Sequence, residues 1–501
     1  MAITAEPKQI WFFTGSQDLY GEETLAQVAE QSQRVVAQLR TGISAPVEIV
    51  WKAMLRNSDA IRRALKDATS DDDCIGVITW MHTFSPAKMW IAGLEALGKP
   101  LLHLHTQAGQ SLPWSTIDMD FMNLNQAAHG DREYAHMVTR IGVPRKIVVG
   151  HPTDADVHRR VDDWCLATIG WDTAQHLRLA RFGDNMRYVA VTDGDKVSAQ
   201  MQFGMSVEAL GINALADGVA AVGDSEAEAL TRVYEDLYEV VPELSVGGAR
   251  HESLVYGAKI EIALRRILQA GGFTAFTSNF EDLGTLRQLP GLAVQRLMAE
   301  GYGFGGEGDW KTSALLRIMK AMTPAGGGTS FMEDYTYHFG PGRQRILGAH
   351  MLEVCPSITS VRPRIEIHPL GIGGREDPVR MVFTAAPASG RVVCLADLGD
   401  RHRIISNEIT IVEPDEALPK LPVARAVWEP QPALAPAAEA WMLAGGSHHT
   451  VLTNAVSLDT LEDFARIART EHVIIDADTN LRQFRRELQW SAAYHRLAER
   501  I

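Results

Sequence analysis

The sequence predicts an α/β protein made of two successive α/β regions and a C-terminal antiparallel β region. Three observations predict it. Short apolar runs alternate with amphipathic stretches through the first 175 residues or so. A helix-rich α/β region follows from roughly 176 to 325. From the glycines at 326–328 to about Pro430, strand-like runs joined by turns then arrive in quick succession. The 501 residues exceed one core, since domains usually span ~100–200 residues. The composition shifts divide the chain at 1–175, 176–325 and 326–501.

In the first region, IWFFTG (10–15) leads to a helical pattern from Glu22 to Arg40, and EIVWK (48–52) to one beginning at Asn57–Ser58, either of which suits an N-cap. CIGVITWM (74–81) precedes PAKMWIAGLEALG, where Gly98 before Pro100 marks a helix stop. PLLHLHT (100–106) and KIVVG (146–150) complete the strands, and a last helix runs to about Ile169. Strands alternating with helices at this spacing indicate a parallel sheet covered on both faces. The second region opens with LRLARFG and RYVAVTDG and continues in helical patterns at 225–241, 252–270, 290–300 and 311–322. In the third, YTYHF, RILGAHMLEV, RIEIHPL, RMVFTA, RVVCLADL and RIISNEITIV indicate an antiparallel sheet or barrel, closed by the proline-rich EPDEALPKLP and EPQPALAP. The tail reads as helix, short strand, helix.

Hydrophobic residues make up 46% and charged residues 22%, an ordinary globular composition. Lys+Arg number 48 against Asp+Glu 62, a net charge of −14, which argues against a nucleic-acid partner because phosphate binding needs clustered cations. Cys74, Cys165, Cys355 and Cys394 share no zinc-like or redox-like spacing, which fits a reducing compartment. The start, MAITAEPKQIWFFTGSQ, lacks the basic and apolar segments of a signal peptide, and no run approaches the ~20 apolar residues of a membrane helix. A cytoplasmic location is expected.

Four segments carry candidate chemistry. GYGFGGEGDW (301–310) spaces Gly301, Gly303 and Gly306 like a dinucleotide fingerprint, but a helical pattern precedes it where that fingerprint requires a strand. Its glycines are better suited to a loop that lifts Glu307 and Asp309 into a cleft. GGGTSFMEDYTYHF (326–339) brings Glu333, Asp334 and His338. LGAHMLEVCPS (347–357) reads as a strand bearing His350 and Glu353, and AGGSHHTVLT (444–453) holds two adjacent histidines. Taken singly, these are a turn decoration, a core histidine, and a surface pair or a metal site. Taken together they supply carboxylate oxygen and imidazole nitrogen without thiolates, a donor set for Mn²⁺, Mg²⁺ or Fe²⁺. Spacing from Glu307 to His449 does not establish that they converge. The HEXXH, GXSXG and GXXXXGK[ST] patterns are absent.

Long strings throughout the chain carry a resemblance: WFFTGSQDLYG (11–21), WMHTFSPAKMW (80–90), IDMDFMNLNQAAHG (117–130), RFGDNMRYVAVTDGDKV (181–197), LPGLAVQRLMAEGYGFGGEGDWKT (289–312), GGTSFMEDYTYH (327–338), HMLEVCPS (350–357), HPLGIGG (368–374) and AGGSHHTV (444–451). On these the sequence resembles the L-arabinose isomerase family along almost its whole length. The resemblance implies two Rossmann-like (fucose-isomerase-like) α/β domains followed by a C-terminal antiparallel β-barrel domain with flanking helices. It implies Mn²⁺ dependence and conversion of L-arabinose to L-ribulose, with D-galactose to D-tagatose as a slower side activity. The implied metal ligands are Glu307, Glu333, His350 and His449, and the implied sugar pocket is Gln17, Leu19, Phe84, His129, Met186, Phe280, Ile372 and His448. It further implies a homohexamer in which N-terminal pocket residues reach a neighbouring subunit's site. Asp18 stands where some relatives carry a histidine. The expected chemistry is a cis-enediol path with Glu307 and Glu333 as acid/base pair, a hydride shift being the competing route. The rival readings are an L-fucose-type isomerase, a non-catalytic sugar-binding protein, and a hydrolase or aldolase using the same ligands.

Overall fold

Every residue of the run CIGVITWM is buried, because it is the central strand of a parallel sheet covered on both faces. The structure, a computed structural model, describes residues 8–323, 327–371 and 374–498. The chain divides into two units, residues 8–172 with Ser457–Arg469, and Thr173–Val456 with residues 470–498.

The first unit contains β1 (Lys8–Gly15), β2 (Val47–Leu55), β3 (Cys74–Met81), β4 (Leu101–His105) and β5 (Lys146–Val149) in the order β2-β1-β3-β4-β5, with every pairing parallel. Helices Gly21–Arg40 and Ser58–Ser70 connect the first three strands, and Asn57 supplies the cap, its side chain accepting from the Ala60 amide at 3.0 Å. PAKMWIAGLEALG gives only a 3₁₀ turn, Ala87–Trp90, and a short helix, Ile91–Glu95. The last helix runs past Ile169 to Gln175. Trp11, Phe13, Met81, Trp90 and Tyr134 meet in one core. Strand order reverses at β1, whose two neighbours are β2 and β3, so the carboxyl ends of β1 and β3 flank the crevice where open parallel sheets receive ligands.

Residues 457–469 return to this unit. Their helix, Leu458–Ile467, is held by hydrogen bonds from the Ser457 and Thr460 hydroxyls to Asp163 at 2.6 and 2.9 Å and by a buried ion pair between Lys146 and Asp463.

The second unit begins with β6 (Arg178–Phe182), β7 (Ser206–Leu210), the short β8 (Glu239–Val240), β9 (Ala275–Ser278) and β10 (Gly303–Gly305). Four of these form a second parallel sheet, β10-β9-β6-β7, whose order reverses at β6. Helices Asp224–Leu237, His251–Gly271, Gly291–Ala299 and Trp310–Ala321 fall near the expected ranges. Two more, Lys196–Phe203 and Ile212–Ala220, were not expected; each is under three turns, too short for a clear period.

The C-terminal strands are β11 (Thr329–His338), β12 (Arg345–Ala349), β13 (Arg364–Ile367), β14 (Val379–Val382), β15 (Ala388–Asp397), β16 (His402–Val412), β17 (Arg425–Pro430), β18 (His449–Thr453) and β19 (Glu471–Ile475). Seven of them form a mixed sheet, β15-β18-β11-β12-β17-β16-β19, antiparallel except at β16–β19, and β15 also pairs with β16. RIEIHPL and RMVFTA do not join it: β13 pairs with β14 on one side and with β8 on the other, in a separate three-stranded sheet. Helices Leu434–Ala444 and Leu481–Ala498 cover the mixed sheet through Ala437, Ala440, Phe484 and Ile405. Among the described residues no helix is long and apolar enough to cross a membrane, and all four cysteines are buried and free.

Removing one partner of a buried ion pair strands the other charge and costs about 3–5 kcal/mol, whereas an apolar replacement of both is often neutral. Asp463→Ala is therefore expected to destabilise the first unit strongly, and Lys146→Met with Asp463→Leu to do so less. Denaturant unfolding measures both, and equal losses would refute the assignment.

Candidate active site

The site of the second unit begins where β10 ends. The helix Gly291–Ala299, not a strand, precedes GYGFGG, so the dinucleotide fingerprint has no structural basis here. Glu307 adopts a left-handed backbone, φ 63°, which costs a non-glycine residue free energy that its surroundings must offset. The Met186 amide donates to the Glu307 carbonyl at 3.0 Å and helps hold it. Gly308, φ 82°, lies so close to Asn185 that a Cβ would sit 2.4 Å from its Cα. The loop thus needs glycine there to bring the two backbones together.

The mixed sheet supplies the other side. In the antiparallel register Glu333 of β11 lies opposite His449 of β18 and Ala349 of β12, and His350 is the next residue along. Directly opposed side chains on one face are neighbours. The His350 Nε2 is 4.0 Å from a Glu333 oxygen, the His448 Nε2 3.9 Å from the other, and the His449 Nε2 3.8 Å from Glu307. Phe331, two residues before Glu333 and fully buried, packs edge-on against both His350 and His449, at 4.9 and 5.2 Å between ring centres. Contrary to the sequence reading, β12 stops at Ala349, and His350 and Glu353 lie beyond the strand. The Glu353 carboxylate accepts from the Leu352 amide at 3.1 Å and from the His350 ring at 2.6 Å, turning the chain out of the ladder.

A second layer orients both buried imidazoles. The His350 Nδ1 is bonded to Glu353, and the His449 Nδ1 to Asp309 at 3.0 Å. A carboxylate can only accept, so each Nδ1 carries a proton, and the neutral tautomer this selects presents the Nε2 lone pair. Both Nε2 atoms are buried without a hydrogen-bond partner. Burial works against the Asp309 carboxylate, but Lys311, His449 and Thr312 together hold its pKa at about 2. Asp309 also caps the helix Trp310–Ala321. Burial raises the pKa of Glu333 above the ordinary carboxylate range. It opposes the cation of His350 too, yet the Glu353 charge prevails and raises that pKa. His448, pushed down to about 4 by burial and then by His449, is a neutral donor atom near neutral pH.

Ligand atoms of Glu307, His448 and His449 all lie within 4.8 Å of one another. His448, expected as a sugar contact, thus lies among three grouped candidate donors and also 3.9 Å from Glu333, while Glu333 and His350 approach as a pair. Phe280, after β9, lines a small cavity with Phe304, Glu307, His350 and Glu353, and Met186 follows β6. Both thus stand at the switch point of the second sheet. In the first unit Gln17 and Leu19 follow β1 and Phe84 follows β3, at that unit's own switch point. Phe84 stacks on His129 with ring centres 4.6 Å apart, and the Ser16 and Thr83 hydroxyls are bonded at 2.7 Å between the two strand ends. Leu19 is 82% exposed, and Asp18 pairs with Arg56 at 3.2 Å. Ile372 lies outside the described residues. The sequence reading did not single out Phe331, which looks like any core aromatic, and assigned no orienting role to Asp309 or Glu353.

Losing such an outer carboxylate typically weakens metal binding about 10–100-fold. Asp309→Asn keeps the helix cap and Glu353→Gln keeps the volume, so each is expected to lower divalent-metal affinity by that factor with the fold retained. Titration calorimetry with Mn²⁺ reads it, and unchanged affinity would remove the orienting role.

Family models described as the L-arabinose isomerase N-terminal, central and C-terminal domains match residues 4–176, 178–325 and 328–471. The chain is 62% identical over 492 residues to a protein named L-arabinose isomerase from a Nocardioides species, covering 98% of each. It is 59% identical over 499 residues to one from Mycolicibacterium smegmatis and 53% identical over 494 residues to one from Geobacillus stearothermophilus, in both cases over 99% of each chain. Matches of this extent leave no region of the chain outside the likeness, and the chain belongs to the L-arabinose isomerase family.

Proposed function

We propose that the protein is an aldose–ketose isomerase that converts L-arabinose to L-ribulose at a single divalent metal ion, Mn²⁺, with D-galactose to D-tagatose as a side reaction. Family membership carries the reaction class and substrate. One observation of the site carries the metal: two buried imidazole Nε2 atoms without protein partners, each fixed through Nδ1 by a carboxylate, stand within 4.0 Å of Glu333 and 3.8 Å of Glu307 respectively. Glu307, Glu333, His350 and His449 are the ligands in this reading, and the oxygen–nitrogen donor set fits Mn²⁺. When bound, such an ion supplies Lewis-acid polarisation of the sugar carbonyl.

The chain's own residues then have one proton to move between C1 and C2 and one between the two oxygens. Glu333 and Glu307 are the acid/base pair, forming and collapsing a cis-enediol. Phe280 and Phe304 keep water from the enediol, and Met186 and His448 position the sugar. Gln17, Leu19, Phe84 and His129 contribute from a neighbouring copy in a homohexamer, a reading supported by their place at the first unit's switch point. Ile372 is counted with them on the family resemblance alone.

The same reading divides the chain into domains at 1–175, 176–325 and 326–501, and the ranges of the family models support it. It takes the first two as Rossmann-like and closes the mixed sheet into a barrel, for which the β15–β16 pairing is the support. The cytoplasm is the expected location.

Glu307→Ala and Glu333→Ala are each expected to lower turnover by about 10²–10⁴-fold or more with the fold retained, since each removes an acid/base group; near-normal ketose formation in either would overturn its role. Chelation should abolish conversion of L-arabinose and Mn²⁺ restore it, the product having the mass of the substrate. In deuterated water the enediol path introduces solvent deuterium at C1 of the ketose, whereas full retention of the substrate's hydrogen would favour the hydride shift.

A further inference from the structure

The first unit holds a second cavity that the isomerase reading leaves unused. It lies beyond the carboxyl ends of β4 and β5, has a volume of about 310 Å³, and is lined by His105, Gln107, Gln110 and His151 together with Ala127 and Val149. Small-molecule sites start at roughly 300 Å³.

His105 ends β4, and its Nδ1 is bonded to Asp131 at 2.8 Å. Asp131, 1% exposed, also accepts from the His103 Nε2 at 2.8 Å and from the Met81 amide at 3.0 Å. The carboxylate is thus anchored from three directions and fixes the His105 ring, with Nδ1 as donor and Nε2 left as an acceptor. On the far side the His151 Nδ1 is bonded to the Thr153 hydroxyl at 2.7 Å and accepts from the Thr153 amide at 3.4 Å, so its Nε2 carries the proton. The cavity therefore offers one imidazole acceptor, one imidazole donor, and two carboxamides that do both.

No Lys, Arg, Asp or Glu lines it. An ionic ligand would therefore find no counter-charge there. Ala127 and Val149 supply a small apolar surface. A neutral molecule with several hydroxyls on a short carbon chain matches both features, because each hydroxyl donates and accepts while the C–H face covers the apolar patch. We propose that this cavity is a second binding site, for a neutral polyhydroxylated small molecule of the polyol or monosaccharide class. The proposal does not rest on the isomerase reading.

The test is equilibrium dialysis of the full chain with radiolabelled L-arabitol, a five-carbon polyol without a carbonyl. Glu333→Ala disables the isomerase site, and this variant should still bind one L-arabitol per chain. Adding His105→Asn, whose amide can still donate to Asp131 but lacks the Nε2 acceptor, should weaken that binding at least about tenfold, the scale of one or two lost hydrogen bonds. Adding the exposed substitution Gln110→Ala instead should weaken it in the same direction. Alone in the otherwise natural chain, His105→Asn should leave ketose formation intact. The proposal is overturned if the Glu333→Ala protein binds no L-arabitol, or if neither cavity substitution changes its binding while thermal melts show the fold retained. Failure of the isomerase reading would appear separately, as no ketose from the unsubstituted chain.

Discussion

The antiparallel register across β11 is the constraint on which the rest of the second unit's site depends. It sets Glu333 opposite His449 on one side and opposite Ala349 on the other, so that His350 follows immediately. A slip of one residue would turn Glu333 to the opposite face and put Met332 or Asp334 in its place. Phe331, on the same face as Glu333, packs between the two imidazoles and makes such a slip costly, because a large buried ring would lose its bed. The register is therefore fixed by core packing, and the polar donors follow from it.

Around that ladder two buried carboxylates orient the site imidazoles. Asp309 and Glu353 are almost wholly buried carboxylates, each bonded to an Nδ1. Their backbone duties differ. Asp309 starts a helix, and Glu353 ends the run that would otherwise extend β12. In each, one side chain serves both the local fold and the tautomer of a site histidine, which ties the chemistry to the rigidity of the scaffold. The left-handed Glu307 is the strained counterpart, supported by glycines on either side and by the Met186 amide.

Both parallel sheets repeat one device. Each reverses its strand order once, and residues of the expected sugar pocket follow the strands at that point: Gln17 and Phe84 in the first unit, Met186 and Phe280 in the second. Parallel strands end together there with their connections diverging, which leaves a crevice without removing any core residue.

By itself the sequence determined the α/β class, most of the strands and longer helices, and the Asn57 cap, because these depend on local periodicity and on turn or cap chemistry. It also determined the family, since strings such as LPGLAVQRLMAEGYGFGGEGDWKT and SFMEDYTYH retain their order over the whole chain. Only the tertiary structure decided that β13 and β14 leave the main sheet to form a separate one in which β13 pairs with β8, and that residues 457–469 return to the first unit. It likewise decided that β12 stops short of His350 and that His448 groups with Glu307 and His449. Apart from the local Glu353 contacts that end β12, these outcomes depend on partners tens to hundreds of residues apart. Periodicity records which face of an element is buried, whereas its partner is chosen by long-range packing, and no local pattern carries that choice.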